Sequence, residues 1–230
     1  MPVITISKQH GAGGKAIALA LARSLSCEVV DKSLIIKVAQ QARVGTDRVE
    51  NFDQEHYSSI DKYLSGIFLA NPALYGPGSF DFPMTGAAGL MADQEFFNAQ
   101  KYLTLTQALI KELYQKGNVV LVGRGGQVLL ADKKDCLHLR LCAPLEYRVK
   151  RVMEKAGVSE KEAGEKIHSR DKSRASYLKD YYHRDWNDPG LYHLTINTQR
   201  VPVETITALV RQMIIDKYKS LSDPSRNRLE

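Results

Sequence analysis

The sequence predicts an α/β protein, three layers deep, with helices on both faces of a five-stranded parallel sheet. Two observations carry this. Five short apolar or β-branched runs alternate with segments of helical periodicity along the 230 residues, the pattern of a parallel sheet whose crossovers are helices. Two glycine clusters, Gly11-Ala12-Gly13-Gly14 and Gly123-Arg124-Gly125-Gly126, each follow such a run, the first after three residues and the second at once. They therefore fall at the carboxyl ends of strands, where parallel sheets open onto ligands.

The elements follow in order. Val3–Ser7 is a compact β-branched run and reads as a buried first strand. In Lys15–Leu25, residues Ile17, Leu19, Ala20, Leu21 and Leu25 recur at helical spacing. Glu28–Val30 is a second short strand ending in Asp31. Leu34–Ala42 and Thr46–Phe68 read as helices, the latter capped by Thr46 or Asp47 with Glu50 in its first turn. Asn71–Ala92 holds Pro72, Pro77 and Pro83 with the aromatics Tyr75, Phe80 and Phe82; a loop this long is expected to be a functional lid or a disordered segment. Asp93–Lys116 is helical, stops at Gly117, and is long and apolar enough to serve the core or a homo-oligomer interface. Asn118–Val122 is the most apolar strand, and Cys136–Cys142 is the fourth. A basic helix over Leu145–Ala156 follows Ala143-Pro144, and Ser159–Tyr182 is a polar, charged helix. Leu191–Asn197 is the last strand and Val203–Lys219 an amphipathic closing helix. The chain thus reads as a single domain over residues 1–220, with an insertion at about 45–100, a lid region at about 157–190 and a mobile tail over 221–230.

Composition narrows the function. Lys and Arg number 32 against 26 Asp and Glu, a formal net charge of +6. A mild basic excess suits a ligand rich in phosphate, and no basic run or aromatic-basic block supports specific nucleic-acid binding. Cys27, Cys136 and Cys142 form no CxxC and read as small buried residues of a reduced, cytoplasmic protein. No apolar run approaches the roughly 20 residues that a bilayer span needs, so no membrane partner is expected. A strand that begins at Val3 leaves no room for a signal peptide. The histidines show no H-x-x-x-H or H-x-H spacing, which disfavours a zinc site.

The chemistry begins at Lys8–Ala16. In a glycine-rich turn between strand and helix, backbone N–H groups converge on an anion, and the helix N-terminus adds partial positive charge. Gly11, Ala12, Gly13, Gly14 and Ala16 would bring backbone to phosphate oxygens, with Lys8 or Lys15 as the cation. The stretch resembles a P-loop, G-x-x-x-x-G-K-[ST], with departures. If Gly14-Lys15 is the Gly-Lys pair, Gln9 stands in place of the first glycine, and Ala16 in place of the hydroxyl residue. If Gly11-Ala12-Gly13 instead aligns with the equivalent triplet of a nucleotide kinase, Gly14 occupies the lysine position. Lys8 or Lys15 then reaches the phosphates by another route. The plainer reading is a turn that merely joins strand to helix.

Five arginines complete the candidate set. Arg124 follows a strand and offers a planar fork suited to phosphate or carboxylate; its plainer reading is a surface Arg in a glycine turn. Arg148 and Arg151 share a helix face, which is otherwise a solvated basic face. Arg170 and Arg174 lie at i and i+4 around Asp171, as a closing lid requires and as a salt-bridged surface helix also would. Asp185-Trp186-Asn187-Asp188-Pro189 reads as turn-building.

Taken in order, Val122-Gly123-Arg124, Val128-Leu129-Leu130-Ala131-Asp132, Leu139-Arg140-Leu141 and Glu146-Tyr147-Arg148-Val149-Lys150-Arg151 resemble the middle of bacterial cytidylate kinases. Arg170-Asp171 through Arg174, and the ending Ile196-Asn197-Thr198, resemble their lid and last strand. Over about the first 215 residues the chain is similar to the cytidylate kinase-like family, a branch of the P-loop nucleoside monophosphate kinases. Ile4-Thr5-Ile6-Ser7 with Gly11-Ala12-Gly13-Gly14, and Asp185–Pro189 before Tyr192, are typical of that branch. The resemblance implies a P-loop kinase fold and ATP- and Mg²⁺-dependent phosphoryl transfer to a small-molecule phosphate acceptor, CMP or dCMP first. It implies that Gly11 to Lys15 hold ATP phosphates and that Arg124 grips the acceptor phosphate. Arg148 or Arg151 would lie near adenine or phosphates. Arg170 and Arg174 would close over the transferring group, Asp171 would orient them or meet the acceptor, and Asp31 would lie where the acceptor site begins. No residue is assigned to a metal. In the cytidylate kinase pattern an acidic residue follows the Gly-Arg pair, where this chain has Gly125. The alternatives are a nucleotide-binding module with weakened catalysis and a kinase for a non-cytidylate acceptor; a nucleic-acid-binding domain rests on net charge alone.

Overall fold

The computed structural model describes residues 1–31 and 99–222. The chain divides into two compact units, residues 1–33 with 110–230, and residues 34–109; the sheet and the site belong to the first. The expected helices at 34–42 and 46–68, the 71–92 loop, the first residues of the 93–116 helix and the end of the tail lie outside the described residues.

The five strands are β1 (Val3–Lys8), β2 (Glu28–Val30), β3 (Val119–Val122), β4 (Cys136–Cys142) and β5 (Leu194–Asn197). They form one sheet in the order β2-β3-β1-β4-β5, parallel throughout. The helices are α1 (Gly14–Leu25), α2 (Ala99–Lys116), α3 (Gly126–Leu129), α4 (Leu145–Ala156), α5 (Glu160–Tyr182) and α6 (Val203–Ser222). Several boundaries shift by one residue, and three differences are larger or of another kind. The short α3 follows the second glycine cluster unannounced by any period. Pro189–Leu191 is a 3₁₀ turn rather than the start of β5, because Pro189 brings no N–H to a ladder and Asp188 caps the turn through Gly190 N. The closing helix runs on to Ser222. No helix among the described residues is long and apolar enough to cross a membrane.

Strand alternation sorts the two faces. Ile4 and Ile6 of β1, Val120 of β3, Leu137, Leu139 and Leu141 of β4 and Ile196 of β5 point one way, into a core closed by Ile17, Ala18 and Leu21 of α1 and Ile206, Val210 and Ile214 of α6. The residues between them point the other way and include polar groups. Thr5 pairs in register with His138, and Ser7 with Arg140. Thr5 Oγ1 lies 2.8 Å from His138 Nδ1, so that buried pair is satisfied laterally, as burial demands.

A smaller apolar cluster, Val149, Val152, Ala163 and Ile167, joins α4 to α5. Ser159 starts α5 with a capping box closed by Glu162. This fixes the direction in which α5 carries its arginines.

Candidate phosphate-binding site

Parallel register brings the ends of three strands to one edge. Ile6 pairs with Val122 and Val30 with Leu121, so Ser7-Lys8, Gly123-Arg124 and Asp31 emerge together. Gln9 ties the loop down at its entry. Its N–H donates to Leu141 O at 2.9 Å, and its side-chain Oε1 accepts from Ala143 N at 3.1 Å. Gly11 and Gly13 have φ of +83° and +76°, the left-handed region that favours glycine. Space dictates Gly11 as well, since a β-carbon there would lie 2.9 Å from both Cβ and O of Arg148. A β-carbon on Gly13 would lie 3.2 Å from Arg151 Nη2. Arg148 and Arg151 therefore both border the loop from the helix face that they share. Arg148 is buried while Arg151 is exposed, stacked on Tyr147 with Nη1 donating to its hydroxyl at 3.0 Å.

The loop, α4 and α5 meet at Asp171. Its Oδ1 accepts from His10 N at 2.7 Å and from Arg174 Nη1 at 2.9 Å. Its Oδ2 accepts from Arg148 Nη1 at 2.7 Å. Arg148 also donates from Nε to Ala143 O at 2.9 Å and from Nη1 to His10 O at 3.2 Å. Arg170, 6% exposed, adds its charge nearby: it is one of the cations that lower Lys8 and His10. Burial, followed by Arg170, Arg174, Lys8 and Arg148, holds the His10 imidazole down to about 3. Burial, then Arg174, Arg170 and Lys155, lowers Lys8 to about 8 against the opposing pull of Asp31. One end of the sheet thus gathers Lys8, Arg148, Arg170 and Arg174 near His10, with Asp171 bonded to Arg148 and Arg174.

The remaining candidates are placed as follows. Ala12 is buried, and Lys15 and Ala16 are exposed on the first turn of α1. Lys8 is half-buried, and its stem lies over Gly14, where a β-carbon would overlap Lys8 Cδ. Asp31 is exposed. Arg124 is 9% exposed and holds a φ of +60° between Gly123 at +81° and Gly125 at +72°. A left-handed non-glycine residue costs roughly 1–2 kcal/mol. Gly125 also has a spatial reason, since a β-carbon there would lie 2.6 Å from Tyr182 Cε2 at the end of α5. The acidic residue of the cytidylate kinase pattern has no room beside that ring. Among the described residues no three of His, Cys, Asp and Glu gather to hold a metal ion.

A second network behind the loop escaped the sequence reading of function. Arg140 lies between Trp186 and Tyr192, with ring centroids 5.1 and 5.5 Å away, and donates to Trp186 O at 2.7 Å and to Asn187 Oδ1. Trp186 Nε1 donates to Ser7 Oγ at 2.7 Å, one residue before Lys8. The signal was the alternation of β4, which puts His138 and Arg140 on the same face as Thr5 and Ser7. Gln9, noted only as a missing glycine, is the other omission.

A five-stranded parallel sheet with a glycine loop between β1 and α1, and basic side chains around that loop, defines a P-loop kinase fold. The chain belongs to the cytidylate kinase-like family, which it matches over residues 3–200. It is 30% identical over 190 residues to a cytidylate kinase of Pyrococcus horikoshii, a match covering 79% of this chain and 88% of that one. It is 31% identical over 176 residues to a protein of Corynebacterium glutamicum named uronate isomerase, covering 75% of this chain but only 31% of that longer protein. A crystal structure of an uncharacterized protein from Eubacterium ventriosum superposes with a TM-score of 0.64 at 20% identity, covering 94% of this chain and 99% of the other. Family and fold together support nucleotide kinase activity.

Proposed function

We propose that this chain transfers a phosphoryl group from ATP, with Mg²⁺, to a nucleoside monophosphate, with CMP or dCMP as the first candidates, in the cytoplasm. The observation that carries the reading is the Asp171 junction. It gathers a loop N–H, Arg148 and Arg174 at one point, with Lys8 and Arg170 close by. Phosphoryl transfer asks a protein for positioning and charge stabilisation more than for covalent help, and these are the groups that do both. The fit to a polyphosphate is electrostatic: Lys8 and His10 are both depressed by burial first and by crowded cations after it, and an arriving anion relieves the crowding. Mg²⁺ would be held chiefly through phosphate oxygens and water, because neither Lys15 nor Ala16 offers a hydroxyl. The backbone of Gly11 to Ala16 would border the ATP phosphates, with the side chains of Arg148 and Arg151. Arg124 and Asp31 would face the acceptor phosphate. Arg170, Asp171 and Arg174 would act from a lid at about 157–190, within the 1–220 domain.

A coupled assay of the purified chain with ATP and Mg²⁺ against CMP, dCMP, UMP, AMP and GMP tests this, with CMP or dCMP expected to turn over fastest. A second reading, a nucleotide-binding module with weakened catalysis, is favoured by Ala16 and Gly125. It predicts calorimetric ATP binding with no transfer to any of the five.

A further inference from the structure

We infer that Lys8, reaching across the loop from the end of β1, supplies the phosphate-binding ammonium that a P-loop otherwise roots at the start of its helix, and that Lys15 does not. The inference rests on the nucleotide-binding reading above and names the residue that completes it.

Three observations converge. The first is the space over Gly14. A β-carbon on Gly14 would overlap Lys8 Cδ and come within 3.2 Å of Lys8 Cβ and 3.3 Å of Cγ. The stem of Lys8 therefore occupies the volume in which a side chain rooted at position 14 would begin. Gly14 is not among the glycines with positive φ, so its backbone does not demand glycine. What excludes a side chain there is the flexible stem of Lys8.

The second is company. The charges that act on Lys8 are Arg174, Arg170, Lys155 and Asp31, which come from α5, α4 and the end of β2. These are the elements that surround the loop mouth. Three of the four are cations, and burial with these cations lowers the ammonium to about 8, an arrangement that a bound polyphosphate would stabilise. The third is Lys15. It is exposed on the first turn of α1.

Strand alternation accounts for the geometry. Ile4, Ile6 and Lys8 share the face that meets α1, so the last side chain of β1 is delivered to the helix start. Gln9, fastened to Ala143, fixes the backbone just beyond it. A lysine at the first position of the loop and a glycine at the position that meets it then form a matched exchange: the cation has moved and its former root is bare.

The exchange can be reversed, which gives the test. ATP and tripolyphosphate binding to the full chain are measured by calorimetry, and transfer by the coupled assay. The proteins are wild type, Lys8→Ala, Lys15→Ala, and Lys8→Ala combined with Gly14→Lys. Loss of a charge-assisted phosphate contact predicts a drop of roughly 10- to 100-fold in affinity for Lys8→Ala. Lys15→Ala is expected to stay within about threefold of wild type, the range of an exposed charge. The double variant is expected to recover at least about tenfold over Lys8→Ala, which a purely structural role for Lys8 would not allow. Should the double variant fail to fold, Lys8→Met against Lys15→Met makes the same comparison with both stems kept. Equal affinity in wild type and Lys8→Ala, or a larger loss in Lys15→Ala, overturns the assignment while leaving the nucleotide site intact. Absence of ATP and tripolyphosphate binding in wild type overturns the site reading itself.

Discussion

Replacing Asp171 with Ala is the most instructive perturbation of the site. Its carboxylate accepts three hydrogen bonds, at 2.7, 2.7 and 2.9 Å, and both ion-pair partners are largely buried, with side-chain exposures of 9% for Arg148 and 14% for Arg174. Removing one member of a buried pair costs about 3–5 kcal/mol, because it strands the other charge. Here Arg148 keeps its bonds to Ala143 O and His10 O, which places the cost near the lower bound, about 3 kcal/mol. For a chain of this size that is a fall in Tm of roughly 6–12 °C. The stranded arginines then lack a counter-anion, so tripolyphosphate should raise the Tm of the variant by several degrees more than it raises that of wild type. Thermal unfolding with and without tripolyphosphate measures both effects. A fall under about 2 °C, or an equal anion response in the two proteins, would refute the view that Asp171 is the internal counterion of the loop.

The other expectations are narrower. Gly125→Glu restores the acidic residue of the cytidylate kinase pattern but sets a β-carbon against Tyr182 at φ +72°. It should cost about 1–3 kcal/mol, with part recovered by Tyr182→Ala; a neutral effect in urea unfolding would show that the ring is not the obstacle. Arg140→Leu should move the emission of the only tryptophan, Trp186, to longer wavelength and loosen the chain behind Lys8, so an unchanged spectrum would remove Arg140 from that network. The pH dependence follows from His138, whose folded value is lowered by burial first from 6.5 to about 4. A depressed value means that the unfolded chain binds the proton first. The contribution of His138 is therefore full above about pH 6.5 and is lost as pH falls towards 4, on the order of 3 kcal/mol in all. A His138→Gln variant should show a shallower loss of stability over that window; an identical slope would contradict the assignment.

Much of this architecture was legible along the chain. All five strands and the order of loop and helices follow from local apolar runs and glycine punctuation, which depend on near neighbours only. Helical spacing gave Arg148 and Arg151 a shared face, and only the family resemblance brought that face to the phosphates. What the sequence left open was three-dimensional. Nothing local says that Lys8 crosses to Gly14 rather than turning outward, or that Asp171 receives a loop N–H 161 positions away. Arg140 stood inside an apolar strand, and its purpose depends on Trp186 and Tyr192 closing over it from the loop after α5. Pro189 shortened β5 from its expected start because a 3₁₀ turn, capped by Asp188, competes locally with strand pairing. Gly125 looked like a defect of the motif until the ring of Tyr182 supplied a spatial cause.

The central claim is that the basic residues around the β1–α1 loop serve phosphoryl transfer between two nucleotides. The most direct measurement is the phosphorus NMR spectrum of ATP, Mg²⁺ and CMP incubated with wild type and with Arg174→Ala. The account predicts resonances of ADP and CDP growing together with wild type, and a rate lower by about 100-fold or more with the variant, the scale of losing a charge-stabilising donor in the transition state. An unchanged spectrum with wild type, across CMP and the other monophosphates in turn, or equal rates for the two proteins, would contradict it.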